Sequence, residues 1–344
     1  MPYDVIIAGA SFAGLAVAAQ LRGRVLLLDR KDIGAHQTSA CATPLEVTQT
    51  LRCEDAVLQA FDRILLHTAS RTVDYSTSYR FCTFDYQKFC AILSSRLEVD
   101  IIKARALRLE GQRVVTDAGV FEAPIIVDCT GWRAVLARSV RTAYAARLKR
   151  SFGFETVLPW SDNALHVWVD PKAVDKGFIW AFPCGTRTRF GIASYRGKPN
   201  VRRELEQFLT RYGLEADEIH GGYFPYSRGE PTLAHLFLVG DSAGQCAALT
   251  GEGIRPALYF GAECGRAIQR VLAGELTLEA AQRQYRDTVR RRNKYFTALR
   301  LLQRMVLTIP NSGLTAVAMF TARPRVLGYV LGACQRMAPI GSVP

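Results

Sequence analysis

The sequence lacks an uninterrupted apolar segment of the length that spans a membrane. The nearest candidate, residues 314–331, is broken by Arg323, Pro324 and Arg325, whereas a spanning helix needs about 18 or more apolar residues in a row. The N-terminal stretch MPYDVIIAGA also lacks the basic n-region of a secretory signal peptide. These absences predict a cytoplasmic protein, with attachment to the membrane surface left open.

Disulfide and zinc patterns are missing as well. The nine cysteines include no CxxC pair, and their odd number excludes a fully paired disulfide framework. We therefore expect reduced thiols, as is usual in the cytosol. The five histidines show no metal-ligand spacing, so no metal site is predicted.

Acidic residues are scarce relative to basic ones. The 344 residues include 31 Asp and Glu but 44 Lys and Arg, for a formal net charge of +13. This excess favours anionic partners such as phosphates, nucleic acid or an acidic membrane surface. No nucleic-acid-binding motif is present, so we expect no nucleic acid partner. The 49% of hydrophobic residues predicts a packed protein with two domains or one large elaborated domain.

The first motif present is a strand, a turn, a helix and a second strand. YDVIIA (3–8) and RVLLL (24–28) read as buried parallel strands, and a helix is predicted over 15–21. Gly9 and Gly14 permit a tight turn and let the helix N-terminus approach a pyrophosphate closely. The unit predicts a dinucleotide-binding turn, against the alternative of a plain βαβ connection.

Further residues complete this motif. Ser11 stands where the usual pattern has its middle glycine, and Ala13 keeps the next position small. Asp29 ends the second strand about 20 residues after the first glycine, where a carboxylate accepts hydrogen bonds from ribose hydroxyls. This carboxylate favours a ribose without a 2′-phosphate, although the adjacent Arg30 and Lys31 weaken that preference.

A β-meander is the second clue. Three short runs at 104–109, 113–116 and 120–122 are separated by turn residues and predict three antiparallel strands. They lie between two buried strands predicted at 99–102 and 125–128. This arrangement favours an FAD-type binding domain over a plain NAD domain.

The third clue is the glycine-rich stretch GDSAGQCAALTGEGIRPALYFG. It follows a buried strand, so Gly240 and Asp241 are predicted to place a carboxylate against the ribityl hydroxyls of FAD. Gly251 and Gly253 would let the backbone lie close to the flat flavin ring. From Ile254 a helix is predicted, whose N-terminal amides face the flavin edge that gains negative charge on reduction. An ordinary strand–loop–helix connection does not account for this spacing of glycines.

Together with GASFAG and VDCTGWRAVLA, this stretch resembles the geranylgeranyl reductase family of FAD-dependent oxidoreductases, within the p-hydroxybenzoate-hydroxylase-like group. The resemblance covers most of residues 1–275. GFIWAFPCGTRTRFGIASY (177–195) looks like the family's aromatic-x-Trp-x-Phe-Pro segment, which implies that Trp180 lies at the substrate. SACATP (39–44) implies that Cys41 lies near the flavin, where a thiol would tune it or donate a proton. A buried structural thiol is the alternative.

The sequence departs from the family pattern at three places. Tyr86 stands where an arginine is usual, and the family's Cys-Gly reads Cys41-Ala42. The Asp-Gly pair of NADPH-using aromatic hydroxylases is replaced by Cys129-Thr-Gly131, which weakens the hydroxylase interpretation. Gly131 is still expected beside the cofactor.

The resemblance implies hydride transfer from reduced flavin N5 to a carbon–carbon double bond of an isoprenoid-like or other apolar substrate. Because the sequence holds only one dinucleotide motif, NAD(P)H would bind transiently, or an electron-donor protein would reduce the flavin. One alternative is a flavin monooxygenase or halogenase acting on a small aromatic or polyketide-like molecule. Another is a non-catalytic flavoprotein that serves in binding or redox sensing.

The sequence thus predicts an α/β fold in three parts. A Rossmann-type FAD-binding domain with a β-meander comprises residues 1–150 and 232–275, and an antiparallel β-sheet substrate domain comprises 151–231. A basic helical C-terminus covers 276–344. Its arginine cluster at 283–292 is predicted either to meet an anionic lipid surface or to form a solvated helix face.

Overall fold

Within residues 3–37 and 39–343, which the computed structural model describes, the chain forms two large β-sheets and one small sheet with helices packed around them. In chain order, the strands are β1 (Val5–Ala8), β2 (Val25–Asp29), β3 (Ala42–Pro44), β4 (Val57–His67), β5 (Thr72–Phe84), β6 (Asp100–Lys103), β7 (Ala106–Glu110), β8 (Arg113–Thr116), β9 (Gly119–Glu122), β10 (Ile125–Asp128), β11 (Arg150–Leu158), β12 (Leu165–Trp168), β13 (Gly177–Pro183), β14 (Thr188–Ser194), β15 (His220–Pro225), β16 (Thr232–Leu233) and β17 (Leu236–Leu238). The α-helices are α1 (Phe12–Ala18), α2 (Leu45–Thr50), α3 (Tyr86–Ser94), α4 (Val135–Val140), α5 (Arg202–Thr210), α6 (Ile254–Leu272), α7 (Leu278–Val306), α8 (Asn311–Thr321) and α9 (Pro324–Met337).

The first large sheet has the order β16-β17-β10-β1-β2-β6 and is parallel except for the edge strand β16. Successive residues of β1 enter different core clusters: Val5 and Ile7 pack on one face, and Ile6 and Ala8 on the other. Such burial on both faces is what continuous apolar strands require. The predicted Rossmann-type βαβ unit is confirmed.

The small sheet is a meander of β7, β8 and β9 in antiparallel order. Gly111 lies in the first turn and Gly119 begins β9 directly after the second, and their φ angles of +61° and +132° lie in the region that glycine adopts without strain. The meander predicted from the turn residues is therefore confirmed, and it covers the sheet near α4.

The second large sheet has the order β15-β11-β14-β13-β12-β4-β5-β3. Strands β11 to β15 lie between residues 150 and 225, and the sequence-based division had assigned 151–231 to the substrate domain. Residues 42–84 contribute three more strands, although the sequence-based division had placed them within 1–150. The connection is made where β12 pairs in parallel with β4, with Leu165 opposite Ile64. The long β4–β5 hairpin thus extends the substrate sheet instead of the nucleotide-binding sheet.

The two faces of this second sheet have different neighbours. Ile179 and Ile192 belong to a core cluster with Leu205 and Phe208 of α5. The alternate residues of β13, such as Phe178 and Trp180, lie on the opposite face with Leu249 packed against them. Because side chains alternate along a strand, one face is closed by α5, and the other meets the glycine-rich stretch.

The C-terminal residues form α7, α8 and α9, as expected for a helical region. On α7, Tyr285 is fully buried and donates a 3.0 Å hydrogen bond to the carbonyl of Leu238 in β17. On α8, Thr315 exchanges hydrogen bonds with Thr68 and Ser70 at the β4–β5 turn. Across the described parts of the chain, no helix combines the length and apolar character needed to cross a membrane.

Candidate functional site

The turn after β1 requires glycine at two positions. Gly9 has φ +106°, and a Cβ atom there would overlap the carbonyl of Cys129. A Cβ atom at Gly14 would overlap the carbonyl of Gly9. These close approaches bring the start of α1 against the ends of β1 and β10, with Ser11 at the helix N-cap. The turn therefore has the geometry expected of a dinucleotide-binding motif.

Asp29 stands at the end of β2, beside this turn. Its Oδ2 accepts a 2.7 Å hydrogen bond from the Ala10 amide, and its Oδ1 accepts a 3.1 Å bond from the Lys31 amide. A carboxylate oxygen can accept more than one hydrogen bond, so Asp29 retains capacity for ribose hydroxyls. The adjacent Arg30 is exposed.

Tyr86 occupies the position where an arginine was expected. Its hydroxyl lies 2.9 Å from Ser11 Oγ, and its ring packs edge-on against Phe12. Lys31 Nζ lies 5.6 Å from the centre of the same ring. The start of α1 is thus lined by a phenol and a neighbouring amine instead of a guanidinium.

The second glycine-rich motif reaches the first through Gly240 and Ala13. A Cβ atom on Gly240 would lie 3.1 Å from the Ala13 Cβ, so the end of β17 lies directly on α1. The next residue, Asp241, has no hydrogen-bond partner for its carboxyl group among the residues the structure describes, and burial raises its pKa to about 7. An unpaired carboxyl at the junction of two nucleotide motifs fits a ligand that donates hydroxyl hydrogen bonds, as the ribityl chain of FAD does.

Gly131 lies on the other side of this junction. It has φ +74°, and a Cβ atom on it would meet no atom within 4 Å. Its carbonyl lies 3.1 Å from Ser242 Oγ, which also lies 3.0 Å from the Asp128 carboxylate, so the single hydroxyl proton is shared between these two acceptors. The residues that follow β10 and β17 are therefore tied together at this edge of the sheet.

The loop before α6 lies on the aromatic face of the second sheet. A Cβ atom on Gly251 would lie 3.5 Å from the ring of Phe224 and 3.7 Å from that of Phe178. Gly253, in contrast, has φ −114°, and its Cβ atom would make only ordinary contacts at 3.6 Å and beyond. The fold therefore does not require glycine at 253.

Gly253 is also the N-cap of α6, with no side-chain hydrogen bond to the helix, and the buried Ile254 begins the helix. The first amides of a helix have no partner within the helix. In the absence of a capping side chain, these amides remain available to an electronegative group such as a flavin carbonyl.

Trp180 reaches across a neighbouring strand. It pairs with Gly191 on β14, and Gly191 pairs in turn with Glu155 on β11. The indole lies over Gly191, where a Cβ atom would overlap the ring, and Nε1 donates a 3.0 Å hydrogen bond to Glu155 Oε2. Gly191 is thus the residue that lets the tryptophan and the glutamate meet.

Glu155 is 3% exposed and is the centre of a buried polar cluster. Its Oε1 lies 3.2 Å from Gln37 Nε2, 3.2 Å from His220 Nε2 and 3.4 Å from Arg189 Nη1. Arg189 is also buried, and its Nε has no hydrogen-bond partner within the described chain. A buried charge is tolerated when it is paired, so the guanidinium and the carboxylate support each other.

Sequence reasoning missed Glu155 and Arg189. The signal available was a carboxylate in the middle of the aromatic strand segment SFGFETVL. A charged side chain on a face that is otherwise apolar requires a partner. The sequence, however, does not say which of its many basic residues supplies one.

Cys41 is fully buried and has φ +50°. Its thiol lies 3.3 Å from the Ser39 carbonyl and is placed to donate to it. Burial raises the pKa of the Cys41 thiol, and the positive charge of Arg189 opposes that rise. Of the two predicted catalytic residues, Trp180 contacts Glu155 directly, whereas Cys41 is linked to it through the Ser39 carbonyl and Gln37. Burial keeps the Cys41 thiol protonated at neutral pH.

These features define a class of protein. A parallel Rossmann-type sheet with a meander, carboxylates after β2 and β17, and an antiparallel sheet facing the helix α6 form the FAD-binding fold of a flavin-dependent oxidoreductase. The predicted fold class is confirmed by solved structures. The geranylgeranyl bacteriochlorophyll reductase-like protein of Thermoplasma acidophilum superimposes with a TM-score of 0.84 over 98% of this chain and 97% of its own, at 16% identity. A flavin-dependent brominase superimposes with a TM-score of 0.73 over 100% of this chain and 94% of its own, at 14% identity.

Curated relatives found by sequence are named as reductases of one kind of lipid. Digeranylgeranylglycerophospholipid reductase 2 of Methanopyrus kandleri is 26% identical over 324 residues, covering 82% of this chain and 78% of the relative. The protein of the same name from Methanothermobacter thermautotrophicus is 25% identical over 323 residues, covering 82% and 79%. No protein-family model matches the sequence. The resemblance to the geranylgeranyl reductase family is confirmed, and the chain is an oxidoreductase.

Proposed function

We propose that this protein is an FAD-dependent reductase that saturates carbon–carbon double bonds of an isoprenoid-like substrate. When bound and reduced, FAD supplies the hydride, which passes from N5 to one alkene carbon. The other alkene carbon takes a proton, so each double bond gains two hydrogens. The curated relatives named as reductases of a geranylgeranyl lipid support this class of substrate.

The cofactor is assigned to the residues that converge at the ends of β1, β2 and β17. Asp29 would accept hydrogen bonds from the ribose, and the Gly9–Gly14 turn would let α1 approach the pyrophosphate. Asp241 would accept from the ribityl hydroxyls, which would give its unpaired carboxyl the partners it lacks. The open amides at Gly253 and Ile254 would stabilise negative charge at the edge of the ring.

One observation carries the assignment of an apolar substrate. Phe178, Trp180 and Tyr195 form a cluster with Phe224 and Leu249 on the sheet face that meets the loop before α6. A chain held there is bound by aromatic surface and lies beside the position proposed for the flavin. Each buried methylene contributes about 0.8 kcal/mol, so affinity should rise with chain length until the face is covered.

The proton is assigned to Cys41. Because burial raises the pKa of this thiol, it keeps its proton until the substrate carbon accepts it. On donating that proton to the substrate carbon it becomes a thiolate, and the nearby guanidinium of Arg189 stabilises the new negative charge. Glu155 holds Arg189 in place and orients Trp180.

The electron donor is proposed to be external. NAD(P)H would bind transiently, or an electron-donor protein would deliver the electrons, because the chain carries a single dinucleotide motif.

The second candidate function is a flavin monooxygenase or halogenase. The structural likeness to the brominase supports it, because the same fold there serves a different reaction. The reductase would act without O₂, whereas the monooxygenase or halogenase would require O₂. One assay therefore separates the two functions.

Attachment to a membrane surface is proposed from the C-terminal helices. The exposed large apolar side chains concentrate on α7, α8 and α9, and they are Leu301, Leu302, Met305, Val317, Met319, Phe320, Tyr329 and Val330. Basic residues such as Arg323 and Arg325 lie among them in the sequence. Apolar side chains with interspersed positive charge match an anionic bilayer surface.

The test of the proposed function is anaerobic. The purified flavoprotein is reduced with dithionite and mixed with geranylgeranyl substrates, and product mass is followed. A gain of two hydrogens per double bond supports the reductase. A product that gains oxygen or a halogen, and forms only after O₂ is admitted, overturns it in favour of the second candidate.

A further inference from the structure

Arginines on two elements flank the glycine-rich stretch, outside the cluster around Glu155. Arg228 follows β15, and a Cβ atom on Gly244 would lie 3.2 Å from its Cα. Arg300 and Arg304 are about one turn apart on α7. Between them, Gln303 donates a 2.7 Å hydrogen bond to the carbonyl of Ala248. Both elements therefore flank the segment 244–248.

Arg228 and Arg300 lack the acceptors that a protein normally supplies to buried guanidinium groups, whereas Arg304 is exposed. Arg228 Nη1 and Arg300 Nε are buried atoms with no hydrogen-bond partner in the described parts of the chain. None of the ion pairs between described residues involves Arg228, Arg300 or Arg304. Burial, and then the positive charge of Arg300, lower the pKa of Arg228. Buried donors without acceptors and adjacent like charges both destabilise a fold, and a bound anion removes both costs.

Tyr226 adds a hydroxyl to this group. Tyr226 lies two residues before Arg228 in the sequence. Burial raises the pKa of Tyr226, and the charges of Arg304 and Arg300 oppose that rise. Planar guanidinium forks donate paired hydrogen bonds to phosphate oxygens, and a phenol donates one more. A dianionic or trianionic phosphate matches three cations better than a single carboxylate does.

The same helix leads from these arginines to the aromatic face. Leu307, the C-cap residue of α7, packs against the cluster of Phe178 and Trp180. It lies three residues beyond Arg304, about 4.5 Å further along the helix axis. An anionic group held by the arginines would therefore be followed by apolar surface. This is the order of groups in a prenyl chain with a phosphate head.

We propose that Arg228, Arg300 and Arg304 form a phosphate-binding site, and that it holds the phosphate or diphosphate head group of the prenyl substrate. The existence of an anion site is independent of the reaction, whereas its assignment to the substrate head group rests on the proposed function. A phosphate of a nicotinamide dinucleotide is the other source of the same chemistry.

The first experiment measures binding of inorganic diphosphate to the FAD-loaded protein by titration calorimetry at low salt. The test variant is Arg228→Gln with Arg300→Gln, and the matched control is Arg290→Gln, an exposed arginine on the same helix. We expect diphosphate to bind the wild type and the control alike, and the test variant more than about 10-fold more weakly. Equal binding by all three proteins, or no binding by the wild type, overturns the site.

A second variant guards against misfolding. Arg228→Lys with Arg300→Lys keeps both charges but loses the paired donors, and flavin content and melting temperature are measured for each protein. A folded lysine variant with intermediate affinity supports guanidinium recognition. If the lysine variant is folded and binds diphosphate as tightly as the wild type, the paired-donor geometry is wrong.

The second experiment identifies the source of the phosphate. Geranylgeranyl diphosphate, geranylgeraniol, NADPH and NADH are each tested as competitors of diphosphate. Competition by geranylgeranyl diphosphate alone supports the head-group assignment, whereas competition by NADPH alone overturns it in favour of the dinucleotide. If diphosphate binding is lost in the test variant but no alkene is reduced by any protein, the anion site stands and the proposed function fails.

Discussion

The indole nitrogen of Trp180 donates a 3.0 Å hydrogen bond to Oε2 of Glu155, and the strand that carries Gly191 runs between them. The bond is formed because residue 191 has no side chain to block the ring. It joins an aromatic wall of the proposed substrate site to a buried carboxylate whose other oxygen faces Arg189, His220 and Gln37. The wall and the charged cluster are therefore one unit.

Trp180→Phe is expected to lower the free energy of unfolding by about 1–3 kcal/mol, because it leaves a buried carboxylate oxygen without its donor. Urea denaturation measures the change. In a double-mutant cycle with Glu155→Gln, the double mutant should lose less unfolding free energy than the two single mutants lose together. Strict additivity would mean that the hydrogen bond contributes nothing to stability.

We expect Asp241 to make cofactor binding depend on pH. Its pKa in the folded chain without cofactor is about 7, above the ordinary Asp value of 3.8, whereas the hydroxyls of FAD favour the ionised form. FAD should therefore bind more tightly as pH rises from 5 to 8, and the trend should be weaker in Asp241→Asn. Asp241→Ala removes charge-assisted hydrogen bonds of about 1.5–3 kcal/mol, so its affinity should fall roughly 10- to 150-fold. Unchanged flavin retention would separate Asp241 from the ribityl chain.

The same shift affects the stability of the protein without cofactor. A carboxyl whose pKa is raised on folding stabilises the folded state most below the unfolded pKa, and this contribution is lost as pH rises through the folded value. Between about pH 4 and 7, the contribution of Asp241 to the free energy of unfolding should decline. Melting curves of wild type and Asp241→Asn across this range measure the difference. Parallel curves would contradict the raised pKa.

Gly253→Val should remove flavin binding or shift the flavin reduction potential while the fold stays intact. Any residue can adopt the backbone conformation found at position 253, and an added Cβ atom makes only ordinary contacts. The visible spectrum and the potential report the cofactor, and the melting temperature of the cofactor-free protein reports the fold. Gly14→Val is the contrast, because a Cβ atom there overlaps backbone and should unfold the chain. A normal spectrum and potential in Gly253→Val would remove this residue from the flavin site.

Cys41→Ser should slow alkene reduction by the factor of roughly 10²–10⁴ that a general acid contributes, while dithionite reduces the flavin at the normal rate. The serine keeps the size of the side chain but is a much weaker acid. Cys53→Ser is the matched control, because Cys53 is also fully buried and its thiol also lies near a backbone carbonyl. Equal rates in both variants would assign Cys41 a structural role.

Replacing both Met319 and Phe320 with serine should weaken binding to anionic vesicles in co-sedimentation. These side chains are 48% and 53% exposed on α8. The matched control replaces Leu107 and Val120, which are 46% and 48% exposed on the meander. Binding of the wild type should fade as salt rises, because basic residues near an anionic surface contribute about 1 kcal/mol each and are screened. Salt-independent binding, or equal loss in the control, would argue for a solvated helix face.

The nucleotide-binding part could be predicted from the sequence because its signals are local. Buried apolar runs specified β1, β2, β10 and β17, and turn residues specified the meander. Gly9 and Gly240 marked positions whose positive φ angles suit glycine. These features depend on neighbours a few residues apart, so no knowledge of the tertiary structure was needed.

The tertiary structure decided what the sequence left open, because those features join distant residues. The strands at 42–84 entered the substrate sheet because β12 pairs with β4, about 100 residues away in sequence. The meeting of Trp180, Glu155 and Arg189 depends on the register of three strands, and only burial shows which charges must be paired. The placement of Arg228 and Arg300 beside the same segment, 244–248, likewise follows from the packing of α7, since these residues are far apart in sequence.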